Sequence, residues 1–225
     1  MNPEEPIIRP LLTTPRSAAV AGIVFSLLLT IALVMIRLSV PTEPGQAASW
    51  FTDPSKRASL GVALNVVPFA GIAFLWFIGV IRDRIGQHED RFFATVLLGS
   101  GLLFVAMLFV ASAVAAGLRL EATSQSTAPG MDAWRTEARV ASLLLNVYAM
   151  RMAAVFTISV ATIALRTKVI PRWLAFSGYA SAAVLLISLG ISPWVQLLFP
   201  LWILVLSIHI LRRSWAQAVL TGPAV

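Results

Sequence analysis

The run Ser17-Ala18-Ala19-Val20-Ala21-Gly22-Ile23-Val24-Phe25-Ser26-Leu27-Leu28-Leu29-Thr30-Ile31-Ala32-Leu33-Val34-Met35-Ile36 decides the fold class. It carries no charge, and about 20 consecutive apolar residues are what a helix needs to cross the hydrocarbon core of a bilayer. A cleavable signal has an apolar region of only about 7–15 residues. The segment before this run contains Glu4 and Glu5, so a retained helix is expected rather than a removed leader.

Four more apolar blocks follow. Ser59 to Ile81 is preceded by Asp53-Pro54, a capping residue followed by a proline at the first helical position. Phe92 to Leu118 has Asp90 as its candidate cap, and Ala138 to Leu165 forms the fourth block. The last, Trp173 to Leu211, is too long for one crossing and is broken by the turn signal Gly190-Ile191-Ser192-Pro193. The expectation is an all-α, polytopic membrane bundle in one domain. Its six transmembrane helices span approximately 17–36, 59–81, 92–118, 138–165, 173–190 and 193–211.

Composition agrees. Of 225 residues, 58% are hydrophobic and 12% charged, where soluble domains carry roughly 25% charged residues. Mean hydropathy is +0.85. The net charge of +7 is not gathered into a basic face, so nucleic acid is not an expected partner. The cations sit between apolar blocks, where they orient a membrane protein and meet anionic headgroups. With both termini inside, ten of the 17 Lys and Arg residues lie in inner segments, six in outer ones, and Arg151 within a span. The orientation with cytoplasmic N- and C-termini follows. Trp50, Phe51, Trp134, Trp173, Trp194 and Trp215 fall near span ends, as interfacial aromatic belts do. The chain has no cysteine, which removes disulfides and thiolate chemistry.

Small residues recur at helical spacing: Ala18, Gly22, Ser26 and Thr30; Ala149, Ala153, Thr157 and Ala161; Ser177 and Ser181 beside Gly178 and Ala182. Helices in lipid associate by close packing of such residues, here expected within the chain. Pro68 and Pro200 each remove a backbone donor and crowd the carbonyl four residues earlier, at Leu64 and Gln196.

Arg151 is the one charge deep inside a predicted span, 13 residues after Ala138 and 15 before Arg166, Arg139 standing at the very edge of the same span. That spacing puts it roughly 20 Å from either helix end. A charge at that depth costs about 2.5–3.5 kcal/mol on insertion scales, so it should face the bundle interior or a cavity. No predicted span contains Asp or Glu. Candidate partners are Tyr148 and Thr162 on the same helical face, Asn65 on the second span, and the backbone carbonyls freed by the prolines, at Leu64 and Gln196. The lack of embedded acids argues against a cation-coupled carrier and toward an anionic small molecule, an acidic lipid or a partner's carboxylate. Arg151 also reads as a structural arginine satisfied by carbonyls. His88, flanked by Glu89 and Asp90, and His209 match no metal-ligand spacing, so no metal or other cofactor is expected. There is no Gly-x-Ser-x-Gly elbow, His-Glu-x-x-His motif, Walker loop or aspartate cluster, and no catalytic residue is assigned.

The stretch Pro171-Arg172-Trp173-Leu174-Ala175-Phe176-Ser177-Gly178-Tyr179, after Arg166-Thr167-Lys168, resembles a segment of an uncharacterised family of small multi-pass bacterial membrane proteins. The Ala- and Val-rich style, with Arg preferred over Lys, resembles high-GC actinobacteria. The resemblance covers about the last third of the chain. It implies a bacterial inner membrane protein and carries over no activity. Two function classes remain in view. One binds or transports an anionic small molecule or lipid around Arg151, Tyr148, Asn65, Thr162 and Gln196. The other is an accessory subunit docking a membrane-protein partner or a second copy of itself. A membrane enzyme ranks third.

Overall fold

The computed structural model describes residues 15–39, 53–85, 91–124, 131–168, 170–187 and 192–220. The described residues are almost entirely helical, without a strand among them: α1 (Pro15–Ser39), α2 (Pro54–Ile85), α3 (Arg91–Ser124), α4 (Met131–Leu143), a π-helical turn (Leu144–Ala149), α5 (Met150–Arg166), α6 (Arg172–Ile187), a 3₁₀ turn (Pro193–Leu197) and α7 (Leu198–Leu220). Five segments are long and apolar enough to cross a membrane: Ser17–Ser39, Pro54–Arg82, Phe92–Gly117, Thr136–Arg166 and Trp194–Trp215. The fifth of the six expected crossings is realised as the apolar but shorter α6, of 16 residues. At 1.5 Å per residue it is about 24 Å long, under the roughly 30 Å of a typical core.

Local sequence explains the helix ends. The Asp53 carboxylate accepts hydrogen bonds from Ser55 N (3.0 Å), Ser55 Oγ (2.6 Å) and Lys56 N (3.3 Å), and so caps α2. The Ser55 hydroxyl, then the Lys56 amide, hold this carboxyl below the ordinary carboxylate value. Asp90 lies outside the described residues, as do Trp50, Phe51, His88, Glu89 and the side chain of Trp134. In the last hairpin Ser192 accepts from Trp194 N (3.4 Å) and starts the 3₁₀ turn. Pro200 lies at the third position of α7 rather than mid-helix. There the donor it lacks would have no intrahelical partner anyway. The Gln196 carbonyl, which the sequence leaves free, takes the Leu198 N–H.

At the opposite end of the bundle, α5 stops where Lys168 takes φ = 53°, a left-handed position that favours glycine. Lys168→Gly is expected to stabilise the protein by roughly 1 kcal/mol. Unfolding by denaturing detergent would measure this, and a destabilised variant would contradict the stated source of strain.

The helices close into a ring. α1 packs on α2 and α7, α2 on α3, α3 on α5, α5 on α6, and α6 on α7. At its centre each long element contributes a phenylalanine: Phe25, Phe74, Phe104, Phe156 and Phe199, all fully buried. Phe74 is the hub. Its ring centroid lies 4.4 Å from that of Phe25, 4.9 Å from Phe156, 5.2 Å from Phe104 and 5.8 Å from Phe199. Edge-on and tilted rings at these separations attract, and together they fill the bundle axis.

The small-residue ladders lie between these helices. Ala18, Gly22 and Ser26 of α1 are buried, as are Ala149, Ala153, Thr157 and Ala161, and Gly178 and Ala182. Gly178 brings the α6 backbone against Trp202, whose Nε1 donates to the Leu174 carbonyl (3.2 Å). Ser26 and Thr157 return their hydroxyls to Gly22 O and Ala153 O (2.7 and 2.8 Å), so these small side chains add no unmet donor to the interfaces.

The outward surface is apolar, with Phe69, Trp76, Trp173, Phe176 and Trp215 exposed. One end of the bundle carries Arg82, Arg166, Lys168, Arg172, Arg212 and Arg213. There Arg166 lies over the Phe93 ring at 4.6 Å and joins α5 to α3 by a cation–π contact. The opposite end carries the α6–α7 hairpin and Arg37.

Candidate functional site: a two-lobed cleft at the hairpin end

Two adjoining cavities open at the hairpin end. The first, about 170 Å³, is walled by Leu33, Ile36, Leu60, Leu64, Leu108, Ala111, Ala115, Leu145 and Leu197. Leu60 and Leu64 form a small cluster with Ile36, Ala115 and Ala116, apart from the main core, and the lobe lies beside them. Ser112 also lines it, but its hydroxyl donates to the Leu108 carbonyl (2.8 Å), leaving the lobe in effect apolar. The second cavity, about 360 Å³, is lined by Leu143, Val147, Met150, Leu185, Ser192 and Val195.

Arg37, Ser142, Asn146 and Gln196 line both cavities. Gln196 Nε2 donates to Asn146 Oδ1, and Asn146 Nδ2 donates to Ser142 Oγ (2.8 Å). This chain of hydrogen bonds ties the 3₁₀ turn to the fourth span across 50 residues of sequence. Arg37 stands in the last turn of α1, half-buried, where a cation is favoured by the helix dipole. Among the described residues its guanidinium has no hydrogen-bond partner, and neither cavity is lined by Asp or Glu. The cleft therefore joins a greasy lobe to a larger lobe of mixed lining, with the polar side chains and a positive charge at their shared wall.

Asn146 is placed by the π turn Leu144–Ala149. A π turn adds one residue per turn, and such turns occur frequently at functional sites. The extra residue shifts helical phase by about 100°. Counting at regular helical spacing puts Tyr148 and Arg151 on one face, but the turn intervenes: Tyr148 is 56% exposed while Arg151 is half-buried.

Of the five residues expected to form a site, only Gln196 lines the cleft. Thr162 Oγ1 donates to Ile158 O and shares a hydrogen bond with Tyr179 Oη, both at 2.8 Å, joining α5 to α6. Asn65 sits on the outward face of α2 beside Val62, Pro68 and Phe69 and donates to Gly61 O (2.9 Å). Arg151 follows Met150, a residue of the second lobe, and has no hydrogen-bond partner among the described residues. Arg37 and Asn146 join Gln196 here only through the fold: a cation at a span end carries no insertion cost to mark it, and nothing local pairs Asn146 with a residue 50 positions away. Among the described residues no group of three or more His, Cys, Asp or Glu side chains gathers to hold a metal.

Comparison with protein-family models, with curated proteins and with solved structures finds no match. The cleft is thus the feature on which a functional reading stands.

Proposed function

We propose that this is a membrane protein that binds an amphipathic small molecule, with its apolar part between Leu60, Leu64 and Leu108 and its polar head at Arg37, Asn146 and Gln196. The observation that carries this reading is the shared wall of the two cavities, where one cation and three hydrogen-bonding side chains converge. Ligand sites are commonly apolar clefts with a few convergent polar groups. The reading is binding rather than conduction, supported by the phenylalanine rings filling the axis. The bacterial inner membrane, with both termini cytoplasmic, completes the proposal and puts the cleft on the outer side.

The test is a photo-crosslinking residue at Leu64, compared with one at Ile72 on the outward face of the same helix. The expected result is a small-molecule adduct at Leu64 that Ile72 does not capture. Arg37→Ala should cut that capture roughly ten- to hundredfold, as losing a charged hydrogen-bond pair of about 1.5–3 kcal/mol implies. Identical phospholipid adducts at both positions would overturn the reading.

An accessory-subunit role keeps one observation in its favour. Arg151, without a partner among the described residues, lies near the exposed Tyr148, and an intramembrane arginine calls for an anion. Co-purification of an acidic membrane helix, lost in Arg151→Ala, would support it.

A further inference from the structure

We infer that the cleft takes a compact hydrophobic monocarboxylate, an acid bearing one aromatic ring or a short branched chain, rather than a two-chain lipid. This rests on the binding reading above and narrows it by size and charge.

Size comes from the apolar lobe. Its volume is about 170 Å³, and an apolar cavity of about 150 Å³ holds one benzene. Leu64, Leu108 and Leu145 close it with aliphatic surface; of its two serines, Ser112 is bonded to its own helix and Ser142 lies at the polar junction, where it accepts from Asn146. A ring fits such a lobe, whereas a long acyl chain does not.

Charge comes from the junction. Arg37 is the only charged side chain lining either lobe among the described residues. A positive site without an acid selects anions. A guanidinium presents a planar fork that matches a carboxylate at two points. The Gln196–Asn146–Ser142 chain lies at the same junction, so the amide groups flank the place where the carboxylate meets Arg37. The second lobe, about 360 Å³, leaves room for water around the head, each molecule taking about 30 Å³.

The experiment uses the full chain in nanodiscs of phosphatidylcholine near neutral pH. Phenylacetate is titrated against 2-phenylethylamine, benzyl alcohol and phosphatidic acid. Heat of binding is recorded, together with the emission difference between wild type and Trp194→Phe, since Trp194 lines the apolar lobe. Phenylacetate is expected to bind at least tenfold more tightly than the amine and the alcohol. Arg37→Gln should weaken it at least tenfold. Leu64→Phe, which fills the lobe, should exclude the ring while leaving the unfolding transition in place. Ala115→Leu, which fills the same lobe from α3, serves the comparison if Leu64→Phe fails to fold.

Arg37-dependent binding of phosphatidic acid without phenylacetate would overturn the compact-acid class and leave the amphipath reading standing. Equal binding of alcohol and acid would do the same. If none of the probes binds, the compact-acid class falls, and the Leu64 and Ile72 crosslinking comparison decides the broader reading by itself.

Discussion

Phe74→Ala is expected to lower the stability of the bundle by about 3 kcal/mol, near the lower end of the roughly 3–5 kcal/mol measured for such core truncations. The hub ring touches four others that come from four separate elements, so its removal opens a void that no single neighbour can close. In water the cost would include returning apolar surface to solvent. In a bilayer the separated helix keeps its phenylalanine among lipid tails, so that contribution largely drops out. What remains is lost dispersion and ring–ring contact around a cavity. The measurement is reversible unfolding in mixed micelles, with Phe69→Ala as the control. Phe69 lies on the same helix but is exposed, and its truncation should change stability by less than about 0.5 kcal/mol. A Phe74→Ala variant as stable as the Phe69 control would remove the aromatic cluster from the account of what holds the helices together.

Gly22→Ala is expected to cost about 1–3 kcal/mol, the range for overpacking a close-fitted core. A Cβ at position 22 would collide with Ser207 Oγ and lie 2.8 Å from the Phe77 ring. One methyl group would thus press α1 away from both α7 and α2. The two obstacles differ in how far they can yield. Ser207 is small, and its buried hydroxyl has no hydrogen-bond partner among the described residues, so replacing it sacrifices no hydrogen bond seen there. Phe77 is a fully buried ring stacked on Phe74 at 6.2 Å and cannot swing aside. Gly22→Ala combined with Ser207→Gly should therefore recover part of the loss and not all of it, with a coupling of about 0.5–3 kcal/mol in a double-mutant cycle. Strict additivity of the two substitutions would show that α1 and α7 do not meet at this pair.

These two expectations rest on features of unequal visibility. The Ala18-Gly22-Ser26 ladder is plain in the sequence, because a helix repeats every 3.6 residues and small side chains spaced by four must share a face. The burial of that face follows from the physics of helices in lipid. Phe77 and Ser207 as the atoms opposite Gly22 do not follow, since they come from helices 55 and 185 residues away (77 − 22 and 207 − 22). The same division runs through the helix ends. Asp53-Pro54 and the Ser192-Pro193 turn act through bonds spanning two or three residues, and local sequence is enough to place them.

The candidate site was barely legible. Arg151 stands out in the sequence because a charge inside an apolar span is costly, and that cost can be read from position alone. Arg37 at a helix end has no such cost, so it looked ordinary. Asn146 meets Gln196 only because a π turn resets the phase of the fourth span and the α6–α7 hairpin returns to the same end of the bundle. Regular helical spacing, the one tool a sequence offers for assigning faces, fails at that turn.

By itself the sequence determined that the chain is an all-helical bundle of membrane-spanning length. Bilayer thickness and the need to satisfy backbone hydrogen bonds leave uninterrupted apolar runs no other course. Only the tertiary structure decided which rings fill the axis, which glycines carry close contacts and where the cleft lies. Lipid-facing and core-facing residues are equally apolar in a membrane protein, so hydrophobicity cannot tell them apart, and helix neighbours are chosen by shape.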